Sequence, residues 1–292
     1  MTDIDRFIER LNGIIDRLEP LLPPVAPDFD PKHFAYRWKK KGNLHFLSPI
    51  TTVSNISLDD LLCIDKQKKL IDRNTRQFLN HLPANNVLLW GPRGTGKSSL
   101  IKALLNEYKD SGLKMIEVNK SDLDDLLDII ELLQTYDERF IIFCDDLSFT
   151  NDDQAYKALK VVLDGSISST PDNILIYASS NRRHLVPESM QDNKDSGFVN
   201  DELHMSDSVE EKISLSERFG LWLAFHPFTQ DQYLSIVDHW LEKLASAQAD
   251  KQLMHRASLK WALAHGSRSG RSAYQFAKDW SGRQHLKADT ND

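Results

Sequence analysis

Eight consecutive residues have the composition of a phosphate-binding loop. Gly91-Pro92-Arg93-Gly94-Thr95-Gly96-Lys97-Ser98 fits the pattern G-x-x-x-x-G-K-[ST], and Ser99 follows it. Glycines allow successive backbone N–H groups to turn toward one anion, because a Cβ atom would obstruct them. Lys97 offers a positive charge to the β- and γ-phosphates of a nucleotide, and Ser98 offers a hydroxyl group to Mg²⁺. The stretch therefore predicts a site for a nucleoside triphosphate.

The segments on either side of this loop have the patterns that the chemistry requires. Residues 86–90 form a short apolar run suited to a buried strand. After the loop, Leu100, Ala103, Leu104 and Tyr108 recur at helical spacing. The positive end of that helix would point at the phosphates. Strand, loop and helix thus follow one another in the order of a Walker A motif.

A second candidate site follows another apolar run. Residues 140–144 read as a central parallel strand buried on both faces, and Asp145 and Asp146 come directly after it. This is the pattern of a Walker B motif, in which Asp145 would hold Mg²⁺ opposite Ser98 and Asp146 would orient or deprotonate the attacking water. The alternative is that the two aspartates only cap the next turn.

Asn181 ends a third apolar run, residues 173–181. An amide at the carboxyl end of a strand beside Asp145 can donate a hydrogen bond to a γ-phosphate or to the attacking water. Arg182 and Arg183 follow, and they would contact phosphate, a neighbouring subunit or solvent.

Residues 119–122 match N-K-x-D, a guanine-recognition motif of GTPases. We reject that interpretation because no D-x-x-G segment precedes the match, which also comes too early in the chain. A strand end followed by a helix cap explains it better.

From Leu58 to Trp280 the chain resembles the AAA+ P-loop ATPases, with six motifs in the family's order. It resembles most an uncharacterised bacterial family of ATP-binding AAA+ proteins, known as a domain of unknown function. The resemblance implies that Ile64 packs against adenine and that Asn181 is sensor 1. Asp146 stands where most AAA+ proteins have glutamate, although initiator-type members also carry two aspartates here.

Two further arginine assignments come from the same resemblance. Leu215-Ser216-Glu217-Arg218-Phe219-Gly220 resembles box VII, which makes Arg218 an arginine finger that reaches ATP bound to the adjacent subunit. The alternative for Arg218 is an ion pair within its own chain. Arg268, as first choice, or Arg271 would be the sensor 2 arginine that folds over the nucleotide; a solvated pair is the alternative.

The family's architecture is an α/β fold with a five-stranded parallel sheet in the order 5-1-4-3-2 and a C-terminal helical lid. We expect residues 1–55 to form an N-terminal helix and an irregular extension, residues 56–227 the nucleotide-binding core, and residues 228–292 the lid. ATP and Mg²⁺ would bind at the carboxyl ends of the strands.

The N-terminal region contains two candidate interaction segments. Residues 4–22 place apolar side chains on one helical face until Pro23-Pro24 ends the pattern, so this helix packs on the body or on a partner. Residues 25–55 read as irregular, and the aromatic and basic residues within 34–46 indicate either a solvated turn or a surface for a nucleic acid strand.

Composition limits the classes of protein. The net charge of −7 over 292 residues argues against a general nucleic-acid coat protein. No apolar run approaches membrane-spanning length, the N-terminus lacks the apolar core of a signal peptide, and two cysteines form no disulfide framework. We therefore expect a cytoplasmic protein without a membrane partner.

Two functional hypotheses follow. The first is an oligomeric ATPase, completed by Arg218 in trans, that remodels or loads a protein or nucleic-acid client. The second is a slowly hydrolysing, ATP-dependent switch that recruits a partner through its N-terminal helix, which Asp146 in place of glutamate favours. A small-molecule kinase ranks third because it would leave the sensor and finger motifs without a role.

Overall fold

The computed structural model places one large sheet at the centre of the protein. It describes residues 7–8, 29–149, 154–164, 171–183, 185, 197–199, 202–204, 215–244 and 250–289. The strands are β1 (Ala35–Lys41), β2 (Leu44–Pro49), β3 (Val87–Trp90), β4 (Leu113–Val118), β5 (Arg139–Cys144), β6 (Ile174–Ser180), β7 (Gly197–Val199), β8 (Glu202–His204) and β9 (Leu221–Ala224). The α-helices are α1 (Asp65–Leu79), α2 (Lys97–Tyr108), α3 (Leu126–Leu133), α4 (Gln154–Asp164), α5 (Gln230–Lys243), α6 (Lys251–Ala264) and α7 (Gly270–Asp289).

The main sheet has seven strands in the order β2-β1-β4-β5-β6-β3-β9. All neighbours in it are parallel except β1 and β2, which form an antiparallel hairpin. The prediction of a five-stranded sheet is therefore wrong in strand number. The five expected strands are adjacent in the order β9-β3-β6-β5-β4, and β1 and β2 continue the sheet beyond β4.

The β1–β2 hairpin occupies residues that were expected to be irregular. Trp38 is buried, and its Nε1 donates to Asp125 Oδ2 at 2.7 Å. Lys40 Nζ lies 3.0 Å from Asp125 Oδ1. The basic strand is thus joined to the acidic segment before α3, so this lysine contributes to the packing of the sheet edge rather than standing free in solvent.

Alternating side chains of each central strand pack against helices on opposite faces of the sheet. In β5, Ile141 and Phe143 belong to the apolar cluster that contains α1 and α2, while Phe140 and Ile142 belong to the cluster that contains α3 and α4. A strand with helices on both faces is apolar throughout, which explains the unbroken run in the sequence. The carboxyl ends of β3, β5 and β6 consequently meet at one edge.

Helices α5, α6 and α7 occupy the part of the chain where a C-terminal lid was expected, and we refer to them as the lid. Thr229 caps α5 reciprocally with Gln232: Gln232 N donates to Thr229 Oγ1 at 3.3 Å, and Thr229 N donates to Gln232 Oε1 at 2.9 Å. Lid residues such as Tyr233 and Phe276 belong to the same buried cluster as α1 and α2. The lid therefore packs directly on the core.

The predicted N-terminal helix over residues 4–22 lies largely outside the described residues. Among the residues that are described, no helix is long and apolar enough to span a bilayer.

Candidate active site

The loop between β3 and α2 needs its glycines. Gly94 and Gly96 have φ values of +77° and +100°, in the left-handed region that side chains disfavour. A Cβ atom on Gly91 would lie 2.2 Å from the carbonyl oxygen of Phe225, and one on Gly94 would lie 2.8 Å from Ser269 Oγ. The loop can fold into this tight turn because Gly91 and Gly94 carry no side chain that would collide with Phe225 or Ser269.

Lys97 is a buried cation at the start of α2. Its Nζ donates to the carbonyl oxygens of Gly91 at 2.6 Å and Pro92 at 2.8 Å, and to Asn181 Oδ1 at 3.2 Å. Burial lowers the pKa of Lys97, although two nearby carboxylates oppose this shift. An anion bound beside Nζ would compensate the cost of burying the charge.

Ser98 and Asp145 lie together, as the paired Walker motifs predict. Ser98 Oγ donates to Asp145 Oδ1 at 2.6 Å, and Ser179 Oγ donates to the same oxygen at 2.5 Å. A hydroxyl and a carboxylate are the hard oxygen ligands that Mg²⁺ accepts beside a phosphate. The donor set therefore fits a magnesium ion shared between this pair and a nucleotide.

Asp146 occupies an unusual backbone conformation beside this pair. Its φ is +53°, and its N–H donates to Asp145 Oδ1 at 3.1 Å and to Ser179 Oγ at 3.0 Å. One carboxylate oxygen accepts a hydrogen bond from Asn181 Nδ2. Asn181 thus bridges Lys97 and Asp146, and the residues expected at three strand ends converge here.

These groups open into a cavity of about 830 Å³ between the core and the lid. This volume lies in the range of small-molecule sites. Ile64 lines it, and Ile64 Cδ1 lies 3.6 Å from where a Cβ of Gly96 would be. The lid contributes Trp240 and Tyr274, whose ring centroids are 4.6 Å apart. Neither Trp240 nor Tyr274 was predicted to bind a ligand, because helical spacing alone does not distinguish a residue that lines a cavity from a core residue.

The remaining residues of the predicted loop are also at this site. Thr95 Oγ1 donates to the carbonyl oxygen of Pro92 at 2.9 Å, which holds the turn, and Ser99 lines the cavity. Arg93 Nη2 lies 3.4 Å from Asp146 Oδ2.

The lid contacts the loop through its last helix. Gly270 N, at the start of α7, donates to the carbonyl oxygen of Gly94 at 2.9 Å. Arg271 lines the main cavity, whereas Arg268 lines a second cavity of about 640 Å³. The structure therefore brings Arg271 to the site and does not bring Arg268 there, which reverses our order of preference.

The other predicted arginines lie away from the cavity. Arg218 Nε pairs with Asp164 Oδ1 at the end of α4, which is the intramolecular ion pair left open above. The Arg183 guanidinium lies over the Trp90 ring, 5.7 Å from its centroid. Neither arginine lines the site within its own chain.

A protein-family model matches most of the chain. Residues 31–284 match a family model described as a protein of unknown function, DUF815. The chain belongs to the DUF815 family. This family was expected from the motifs as a domain of unknown function, and the resemblance to AAA+ P-loop ATPases is confirmed with it.

Curated relatives match this DUF815 chain over short segments. It is 37% identical over 79 residues to the replication factor C large subunit of Sulfolobus acidocaldarius, covering 27% of this chain and 17% of that protein. For the same subunit of Ignicoccus hospitalis the values are 36% over 67 residues, 22% and 13%. The match thus spans less than a fifth of the length of either relative.

Solved structures share the fold at low sequence identity. A mutant of Thermotoga maritima RuvB aligns with a TM-score of 0.51 and 16% identity, covering 76% of the DUF815 chain and 63% of that chain. The T. maritima RuvB Holliday junction branch migration motor itself aligns with a TM-score of 0.49 and 17% identity, covering the same shares. At this identity, the similarity between the DUF815 chain and the RuvB mutant shows the fold alone.

Proposed function

We propose that this protein binds ATP with Mg²⁺ and hydrolyses it to ADP and phosphate. The observation that carries the proposal is the meeting of Lys97, the Ser98–Asp145 pair and the Asp146–Asn181 pair at one end of a single cavity. These are the parts that phosphoryl transfer to water requires: a cation for the phosphates, oxygen ligands for a metal, and a base held beside an amide.

Each group has a distinct role in this mechanism. Lys97 and the loop N–H groups bind the β- and γ-phosphates, and Ser98 and Asp145 hold Mg²⁺, which neutralises charge on the phosphates when bound. Asp146 accepts a proton from the attacking water while Asn181 orients the γ-phosphate. Arg271 approaches the nucleotide from the lid. Ile64, Trp240 and Tyr274 enclose the adenine ring of ATP.

The experiment that tests this proposal separates binding from turnover. Asp146→Asn keeps the size of the side chain and removes its basicity, so we expect ATP affinity to stay within about threefold while phosphate release falls about a hundredfold or more. Asp110→Asn, an exposed aspartate on another surface, is the matched control. Unchanged phosphate release in the Asp146 variant would contradict the assignment of the base.

We further propose that the protein works as an oligomer, with Arg218 of one subunit acting on ATP bound to its neighbour, and that hydrolysis remodels or loads a protein or nucleic-acid client. The curated relatives are described as subunits of a replication factor, which supports an assembled state and includes nucleic acid among the candidate clients. Arg218 does not line the cavity of its own chain, which also supports action in trans.

A second candidate is an ATP-dependent switch that hydrolyses slowly and recruits a partner through residues 4–22. The observation that favours it is that both carboxylate oxygens of Asp146 already have donors, Asn181 and Arg93. Light scattering with and without ATP·Mg²⁺ on the wild type, combined with turnover, separates the two functions. ATP-dependent assembly with rapid turnover supports the motor, whereas a monomer that binds ATP and scarcely turns it over supports the switch.

A further inference from the structure

Arg93 is a phosphate-loop residue to which the proposed mechanism gives no task. Its side chain is 78% exposed and lies at the rim between the two cavities, since Arg93 lines both of them. From there Nη2 reaches Asp146 Oδ2 at 3.4 Å. A cation of the loop thus contacts the residue to which we assign the role of base.

The backbone and the side chain of Asp146 are held in different ways. Its N–H is fixed by Asp145 and Ser179, and its φ of +53° leaves the backbone little freedom. Among the described residues, the partners of its carboxylate are two side chains, Asn181 on one oxygen and Arg93 on the other. The direction of the carboxylate therefore depends on these two donors as long as they remain in place.

Arg93 also acts on the phosphate end of the cavity. The pKa of Lys97 is lowered by burial first, and the positive charges of Arg93 and Arg271 lower it further. Arg93 and Arg271, which line the same cavity, are thus each close enough to Lys97 for their charges to repel its ammonium group. A phosphate bound by Lys97 would enter the field of Arg93 and attract its guanidinium, which can bind phosphate through two N–H donors.

The contact between Arg93 and Asp146 is suited to exchange. Exposed ion pairs contribute little to stability, so a ligand with a higher negative charge can displace this carboxylate at small cost. We propose that Arg93 is a positioning residue that pairs with Asp146 when no γ-phosphate is bound and moves to the γ-phosphate when ATP binds, which frees Asp146 for the attacking water. This inference rests on the proposed ATPase function.

The test compares ATP with ADP, because only ATP carries the γ-phosphate. We expect Arg93→Gln to weaken Mg·ATP binding about fivefold to tenfold and Mg·ADP binding by less than about twofold, and to lower kcat. Arg93→Lys, which keeps the charge, should restore most of the preference for ATP. Arg73→Gln removes an exposed arginine of α1 outside the cavity and is the control. Dissociation constants are measured by calorimetry with a non-hydrolysable ATP analogue and with ADP.

A double-variant cycle tests the exchange itself. Asp146→Asn removes the carboxylate that competes for Arg93, so its ATP analogue binding should be about twofold to threefold tighter than that of the wild type. Adding Arg93→Gln should abolish this gain. An equal gain with and without Arg93 would mean that the two residues do not exchange, and would overturn the proposal.

Two other outcomes would also overturn it. Unchanged affinities for both nucleotides in Arg93→Gln would mean that Arg93 does not sense the γ-phosphate, and an equal loss for both nucleotides would mean that it only shapes the loop. If Arg93→Gln melts below the wild type, Arg93→Met, which keeps the apolar stem, replaces it in the same comparison. Absence of turnover in the wild type would count against the proposed function instead, and the binding ratio would still be measurable.

Discussion

At the scale of single residues, the phosphate loop depends on one buried ammonium group. Lys97 is 6% exposed, and its donors are directed at two loop carbonyls and at Asn181. No other cation of the described loop is buried to this extent, since Arg93 is largely exposed. Lys97 therefore provides the positive charge of the loop and is connected to Asp146 through Asn181.

Lys97→Ala should abolish nucleotide binding. The variant removes the ammonium group that binds the phosphates, and we expect the affinity for ATP and for ADP to fall about a hundredfold or more, the equivalent of about two charge-assisted hydrogen bonds. Calorimetric titration measures this loss. Lys102→Ala, on the same helix and outside the cavity, should bind both nucleotides as the wild type does. Wild-type affinity in the Lys97 variant would rule out this site.

The meeting of the side chains at the predicted phosphate end of the site could be expected from the sequence, because spacing and strand order determine it. Ser98, Asp145 and Asn181 each follow a buried parallel strand or its loop, and the ends of such strands meet. The choice between Arg268 and Arg271 was beyond the pattern. Arg268 precedes α7 and Arg271 lies within its first turn, so their directions depend on where that helix begins on Gly94.

At the scale of elements, the lid is joined to the core by a buried carboxylate. Asp60 Oδ1 accepts from Lys243 Nζ of α5 at 2.5 Å and contacts His239 Nε2 at 3.3 Å, and Asp60 Oδ2 accepts from Ser57 N at 2.9 Å. Burial alone would raise the pKa of Asp60, but these hydrogen bonds outweigh it and lower the pKa to about 2. The ionised form is thus the one that the folded protein prefers.

This preference predicts acid-sensitive stability. The folded pKa of Asp60 lies below its ordinary value of 3.8, so the stabilisation is complete above about pH 4 and is lost as the pH falls toward 2. We expect it to amount to about 2 kcal/mol in the free energy of unfolding. Urea denaturation between pH 2 and 5 measures it. Asp60→Asn should flatten the slope in this window, whereas Asp110→Asn should retain it; a slope unaffected by Asp60→Asn would contradict this role.

The β1–β2 hairpin shows where pattern reasoning failed for an element. Lys39, Lys40 and Lys41 end β1, and a run of like charges conceals the alternation of a strand. The compensating charges lie about eighty residues away, at Asp124 and Asp125. Tertiary contacts of that range are not visible in a local window, which explains why the hairpin was missed.

At the scale of the whole molecule, Arg218 is held by Asp164 within its own chain. An arginine that acts in trans must leave this partner when a neighbour binds. Local sequence patterns do not reveal this pairing, because Asp164 lies on α4 and Arg218 follows it by 54 positions.

Arg218→Ala should lower turnover about tenfold or more and leave ATP affinity unchanged. The decisive measurement mixes this variant with Lys97→Ala, which keeps Arg218 but binds no nucleotide. In a trans arrangement, a mixed assembly places an intact Arg218 beside an intact site, so phosphate release should exceed the sum of the two separate variants. Asp164→Asn, which removes the intramolecular partner, should not reduce turnover. Failure of the mixture to recover activity would support a role for Arg218 within its own chain.

The connection between the phosphate loop and the lid affects how freely the outer surface of the lid can change in sequence. The two are joined by the N–H group of Gly270 and the carbonyl oxygen of Gly94, backbone groups that every amino acid except proline can supply, and each glycine leaves room for the other segment. Side chains elsewhere on α6 and α7 do not make this bond. The outer surface of the lid can therefore accumulate substitutions, and acquire or lose partners, while the nucleotide site keeps the same mechanical connection to it.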